Sequence, residues 1–134
     1  MTNQKKSKIL HVSLWVAQVL VALAFGMAGF MKLSMPISEL AAKGMGFVNH
    51  TSEGLVRFIG TIELLGALGL ILPAAMRIKP ILTPIAAIGI AVIMLLSIKE
   101  HVTQNEPVVA NIILLLLAAF VAWGRFKKAP IQSK

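Results

Sequence analysis

Four apolar runs divide this chain, at residues 9–31, 54–72, 81–98 and 108–124, and each approaches the ~20 residues a helix needs to cross a bilayer. Composition agrees. Hydrophobic residues make up 57% of the 134, and charged residues 13% against about 25% in soluble domains. Mean hydropathy is +0.85. The expected fold is all-α: a four-transmembrane-helix bundle forming one domain over residues 1–134. Proline punctuates the runs. Pro36 follows the first, Pro73 ends the second, Pro80 and Pro84 open the third and Pro107 opens the fourth. Proline is tolerated in a first helical turn and disrupts a helix interior. The connections are unequal. Residues 32–53 form the long one, where Gly44 and Gly46 interrupt any continuous helix and residues 37–45 suit a short interfacial helix. Residues 74–79 make a tight link and 101–106 a short polar one.

Charge orients the bundle. Lys5, Lys6 and Lys8 precede the first run, Arg77 and Lys79 separate the second from the third, and Arg125, Lys127, Lys128 and Lys134 follow the fourth. These three regions fall on one side and hold no acidic residue. The opposite side mixes Lys32, Lys43 and Lys99 with Glu39, Glu53, Glu100 and Glu106. Cytoplasmic loops carry the excess of Lys and Arg, so both termini are expected in the cytoplasm of an integral protein of the bacterial inner membrane. The net charge of +8 therefore speaks of a lipid bilayer, not of nucleic acid. A Lys-rich start, an apolar run and Ala22-Leu23-Ala24 also fit a secretory signal. The run continues unbroken to Met31, which favours a spanning helix instead.

Glu63 is the anomaly. A carboxylate at bilayer depth costs several kcal/mol unless it is paired, hydrated or protonated. Residues three, four and seven positions away share its helical face: Val56, Ile59, Gly60, Gly66, Ala67 and Leu70. Three of them are small, and small residues let membrane helices approach closely, so this face is expected to point into the bundle. Phe58, Leu65, Leu68 and Leu72 on the far side suit lipid. Counting from Gly54, Glu63 lies about 13 Å deep at ~1.5 Å per residue. The first run ends on the same side at Lys32, and Gln18, Ala22, Gly29 and Lys32 fall near one face. Ser97 and His101 stand one turn apart at the end of the third run, and Asn111 lies one turn into the fourth. All the candidate polar groups are thus expected in the outer half, where a pocket between helices is a common form of membrane ligand site. The ligand-binding or proton-handling candidates are Glu63, Lys32, His101 and Asn111. Arg57 lies about 120° around the helix from Glu63 and is expected to pair with Glu53, four residues earlier, as an anchor at the membrane surface. Each candidate has a plainer role open to it: Glu63 and Lys32 as a structural ion pair, His101 as an interfacial residue, Asn111 as a bond to a neighbouring helix. Trp15 and Trp123 lie where interfacial aromatic residues sit, and the seven Met residues suit packing.

Several chemistries are excluded for this chain alone. With no Cys and no Tyr, it supplies no thiolate, iron–sulfur ligand or phenolic acid. His11, His50 and His101 are placed apart, which gives no haem site and no metal site. No Gly-rich phosphate loop, nucleophile motif or catalytic carboxylate pair occurs. No cofactor is intrinsic, and catalytic residues stay unassigned. Redox chemistry would need a bound quinone or a partner's cofactor, with Glu63 or His101 moving protons or bonding a quinone carbonyl.

At this point the chain resembles the DoxX/DoxX-like family of small four-helix membrane proteins, over most of its length. The landmarks are Gly29-Phe30-Met31-Lys32-Leu33, Gly60-Thr61-Ile62-Glu63-Leu64-Leu65-Gly66 followed by Pro73, His101, and Trp123-Gly124-Arg125. The resemblance implies that Lys32, Glu63 and His101 match the family's recurring polar positions. It also implies a place in a membrane oxidoreductase system, since founding members accompany thiosulfate:quinone oxidoreductase, with a membrane or periplasmic oxidoreductase as partner. Other relatives are linked to oxidative-stress complexes or to receptor assembly. Three readings follow: a quinone-associated accessory subunit, a non-catalytic scaffold or assembly factor, and a small proton-coupled transporter. The last is disfavoured because small multidrug transporters carry their membrane Glu in the first helix and lack a strong charge bias. A homo-oligomer is left open.

Overall fold

The computed structural model describes residues 3–43 and 45–133. Among them are five α-helices and no strand: α1 (Asn3–Ser34), α2 (Ile37–Ala42), α3 (Glu53–Met76), α4 (Leu82–Thr103) and α5 (Val109–Trp123), with a 3₁₀ turn at Gly46–Asn49 and a π-helical turn at Gly124–Lys128. Gly44, one of the two expected breakers of the long connection, and Lys134, of the C-terminal basic run, lie outside the described residues. Four helical stretches are long and apolar enough to span a membrane, α5 together with its π turn making the fourth. They pack in ring order α1–α3–α4–α5, and α5 returns to α1. The start of α1, the end of α5 and the turn between α3 and α4 therefore lie at one end of the bundle, the terminal end. The short α2, the 3₁₀ turn and the link from α4 to α5 lie at the other, the loop end.

The helices outrun the apolar segments. α1 has 32 residues, which rise about 48 Å, well beyond a hydrocarbon core of about 30 Å. Pro36 stops it and caps α2, which is shorter than the interfacial helix expected over residues 37–45. α3 starts at Ser52, whose hydroxyl accepts from the Leu55 amide at 3.3 Å, an N-cap that occupies one otherwise unpaired donor.

The expectation that Pro73 ends the second helix is overturned. α3 runs through Pro73 to Met76 and is closed by Arg77 in the left-handed region, φ 56°. The reason lies in the next helix. Proline has no N–H for the carbonyl four residues back, Gly69. The hydroxyl of buried Thr83 donates to that same Gly69 carbonyl at 3.1 Å. Threonine from a neighbouring helix can in this way satisfy a backbone group that proline frees. Thr83→Val is expected to cost about 1 kcal/mol in a denaturant titration in mixed micelles. In a Pro73→Ala background, where residue 73 regains its own N–H, that cost should vanish. An equal cost in both backgrounds would disprove the coupling.

The core is a stack of Ala17, Val21, Phe25, Ala67, Leu70, Ala87, Ile90, Met94, Ala118 and Val121. Leu40, Val48 and Val56 make a second, smaller cluster that seats α2 and the 3₁₀ turn over the loop end. Phe58, Leu65, Leu68 and Leu72 are exposed, as the face expected to meet lipid. Lipid tails are as apolar as leucine, so the helices associate through close packing and polar bonds, not through burial from water.

Candidate functional site

The site is built on a crossing of two glycines. A Cβ on Gly29 of α1 would lie 2.7 Å from the Gly60 carbonyl oxygen and 2.8 Å from the Leu64 amide nitrogen. One on Gly60 of α3 would lie 2.7 Å from the Lys32 Cβ and 3.0 Å from the Gly29 carbonyl oxygen. Only hydrogen fits at either position. This approach brings Lys32, one turn past Gly29, against Glu63, one turn past Gly60. Lys32 Nζ donates to Glu63 Oε1 at 2.6 Å, and the two residues are 8% and 3% exposed. A buried ion pair is tolerable only when charge and hydrogen bonding are both satisfied, and here each residue is the other's partner.

Arg57 holds this corner from outside. It pairs with Glu53 at 3.1 Å, as expected from their spacing. It also does what the sequence did not express. Its Nη1 donates to the carbonyls of Lys32 at 2.6 Å and Met35 at 2.7 Å, occupying acceptors that the end of α1 leaves unpaired. The residue expected to be a surface anchor thus fixes the backbone of the pair's own lysine. Above the ammonium sits the Phe47 ring, 5.7 Å from Nζ to its centroid, supplied by the 3₁₀ turn.

Beside the pair is a cavity of about 200 Å³. Lys32, Glu63, His101 and Asn111 all line it, together with Ser97, Phe25, Phe47, Met45, Met94 and Leu114. All four residues singled out from the sequence therefore face one space, contributed by α1, α3, α4 and α5. Asn111 Nδ2 donates to Ser97 Oγ at 2.7 Å, joining α5 to α4. That bond leaves the Asn111 carbonyl oxygen, its second N–H and the Ser97 proton for a guest. His101 Nδ1 stands 3.3 Å from Glu106 Oε1, but off the line of a hydrogen bond, so the contact is electrostatic at most. The Glu106 amide donates to the His101 carbonyl at 2.8 Å and fixes the corner. Ala24 and Ala28 of α1, and Asn111 and Leu114 of α5, are only half-buried, so the cavity reaches the bundle surface between these two helices.

The four polar candidates share this half, but the stripe that carries Lys32 does not stay within it. Gln18, placed by its spacing on a stripe with Lys32, belongs to a second cluster toward the terminal end. Its Nε2 donates to the Leu70 carbonyl at 2.7 Å, and its Oε1 accepts from Arg125 Nε at 2.7 Å. Arg125, which reads in sequence as one of the charges flanking the last span, is 2% exposed. Its Nη1 also meets His11 Nδ1 at 3.0 Å and the Ala129 carbonyl at 2.9 Å. The π turn redirects the chain so that the guanidinium points inward. At this turn α5 meets α1, because a side chain on Gly124 would collide with Leu14. The two helices thus come close at the terminal end, while half-buried residues of both line the cavity toward the loop end. Only the π geometry carries this cluster, and no local pattern announces it.

Two arrangements of polar groups therefore lie within one bundle. The terminal one bonds largely within itself. The one at the loop end has donors and acceptors to spare around a cavity. Among the described residues no three His, Asp or Glu side chains gather as a metal-binding group. No curated protein and no solved structure matches the chain. A family model described as the DoxX-like family matches residues 16–123, from the first buried turns of α1 to the last residue of α5. The match takes in the glycine crossing, the ion pair and every residue lining the cavity, and the chain belongs to the DoxX-like family.

Proposed function

We propose that this protein is a quinone-associated accessory subunit of a membrane oxidoreductase system, seated in the bacterial cytoplasmic membrane with both termini inside. The observation that carries the reading is the cavity beside Glu63. Its size suits one small ring, since a 150 Å³ apolar cavity is enough to bind benzene. A quinone head is flat and apolar on its faces and carries a carbonyl at each end. Phe25, Met94 and Leu114 offer the faces, while Lys32, Ser97, His101 and Asn111 offer donors to the carbonyls. Glu63 or His101 would exchange the protons that accompany reduction or oxidation of the ring, and the electrons would pass to the partner's own centre. The gap between α1 and α5 would admit a lipid-soluble head with its tail left in the bilayer. Lys and Arg at the terminal end set the orientation by the positive-inside rule.

The test is extraction of the purified protein and mass spectrometry for quinone, followed by titration with a short-chain benzoquinone. Asn111→Leu is expected to weaken binding about tenfold, the scale of one lost hydrogen bond at about 1.4 kcal/mol. No quinone in the extract and no saturable binding would remove the proposal.

One observation favours a second reading, a scaffold or assembly factor without chemistry. The Lys32–Glu63 pair closes on itself at 2.6 Å and clasps α1 to α3. On that reading a variant lacking the pair, if folded, would keep full function.

A further inference from the structure

Beyond the cavity, the terminal end of the bundle carries a strong positive charge. All five acidic residues of the chain, Glu39, Glu53, Glu63, Glu100 and Glu106, lie toward the loop end. The terminal end shows Lys5, Lys6 and Lys8 at the start of α1, Arg77 and Lys79 in the turn between α3 and α4, and Lys127 and Lys128 in the π turn, all exposed. The tail draws two of these groups together, because Arg77 Nε donates to the Gln132 carbonyl at 2.7 Å. Among the described residues no protein acceptor is bonded to the Nη groups of Arg77.

A second, independent observation lies in the backbone. Arg77 and Lys79 both stand in the left-handed region, φ 56° and 46°. That region is unfavourable for side chains other than glycine, asparagine and aspartate. Strain of this kind points to a use for the side chains it displays. Between the two cations Ile78 is 51% exposed, and Phe126 beside Lys127 is 39% exposed. Each cationic pair therefore carries an outward apolar side chain at the terminal end of the bundle. That alternation matches the boundary of a bilayer, where apolar groups reach acyl chains and cations reach phosphates. Of these seven cations only Arg77 and Lys79 fall within residues 16–123, so the surface goes beyond what family membership covers.

We propose that the terminal end is a binding surface for the phosphate headgroups of anionic phospholipid, drawn from the leaflet around it. The experiment uses the purified full chain in neutral micelles, with phosphatidylglycerol or phosphatidylcholine added. It reads the thermal midpoint and the lipid retained in native mass spectrometry. Phosphatidylglycerol should raise the midpoint by several degrees and stay bound, whereas phosphatidylcholine should do neither. The difference should shrink between about 0.01 and about 1 M NaCl, over which the Debye length falls from ~30 to ~3 Å. K79Q/K127Q/K128Q spares the Arg77 bond and should weaken phosphatidylglycerol binding roughly 100-fold, at about fivefold per cation near a charged surface. K43Q/K99Q, at the loop end, should leave it unchanged. Equal effects of the two lipids on the unaltered chain would overturn the proposal without recourse to any variant. So would an equal rise with inorganic phosphate alone, which would assign the surface to free anions. Retention of full lipid binding by the triple variant would overturn it as well.

Discussion

Lys32→Met is expected to destabilise the bundle by about 3–5 kcal/mol, because it leaves a carboxylate buried with no partner. Glu63→Leu should cost a similar amount by stranding the ammonium. The double variant Lys32→Met/Glu63→Leu should recover most of the loss, since well-packed apolar residues of similar size often replace a buried pair at little or no cost. A denaturant titration of the four proteins in mixed micelles gives the coupling directly. If both single variants cost less than about 1 kcal/mol, the close contact at 2.6 Å contributes nothing and the pair is not the clasp described above. The double variant also separates the two functional readings. It should be folded yet unable to hold quinone if the pair serves the cavity, and fully functional if the pair serves only to join helices.

Gly29→Ala should be the most damaging single-methyl change in the chain, at about 3 kcal/mol, the upper part of the range for overpacking. The atoms that a Cβ would meet, the Gly60 carbonyl oxygen at 2.7 Å and the Leu64 amide nitrogen at 2.8 Å, belong to the backbone and cannot swing aside. α1 and α3 would have to separate, and Lys32 would be drawn away from Glu63. Gly54 and Gly89 provide the contrast, since a Cβ on either meets nothing within 4 Å. Alanine at those positions should be neutral or stabilising by about 1 kcal/mol, from helix propensity alone. Thermal melts of the three variants would show the split. Similar losses at all three positions would mean that close packing at this crossing does not hold α1 to α3.

How much of this was legible in the sequence follows from the range of the forces involved. The spans are written in long apolar runs, and the inward face of α3 is written in Gly60, Gly66 and Ala67 around Glu63. Lys32, His101 and Asn111 could be placed by depth alone, because helices fixed in a bilayer share one ruler. Features that depend on a second segment were hidden. Pro73 looked like a terminus until Thr83, ten residues on, supplied the missing donor. Arg57 had an obvious partner in Glu53, which masked its two bonds to α1. Phe47 reaches Lys32 from an irregular connection that has no periodicity to read. Arg125 carried the signature of a flanking charge, and only the π turn buries it.

The opening of the cavity between α1 and α5 has a consequence for affinity. A guest that enters a 200 Å³ cavity from water must be bound tightly enough to compete with its own dilution. A guest that enters sideways is already concentrated by the lipid around the protein. For such a molecule the relevant scale is its mole fraction among the acyl chains, and each buried CH₂ of its tail, at about 0.8 kcal/mol, has been gained before it meets the protein. The few polar groups beside Glu63 therefore need only recognise the head. Millimolar binding within the bilayer would keep the cavity filled and still let its occupant exchange quickly with a neighbour.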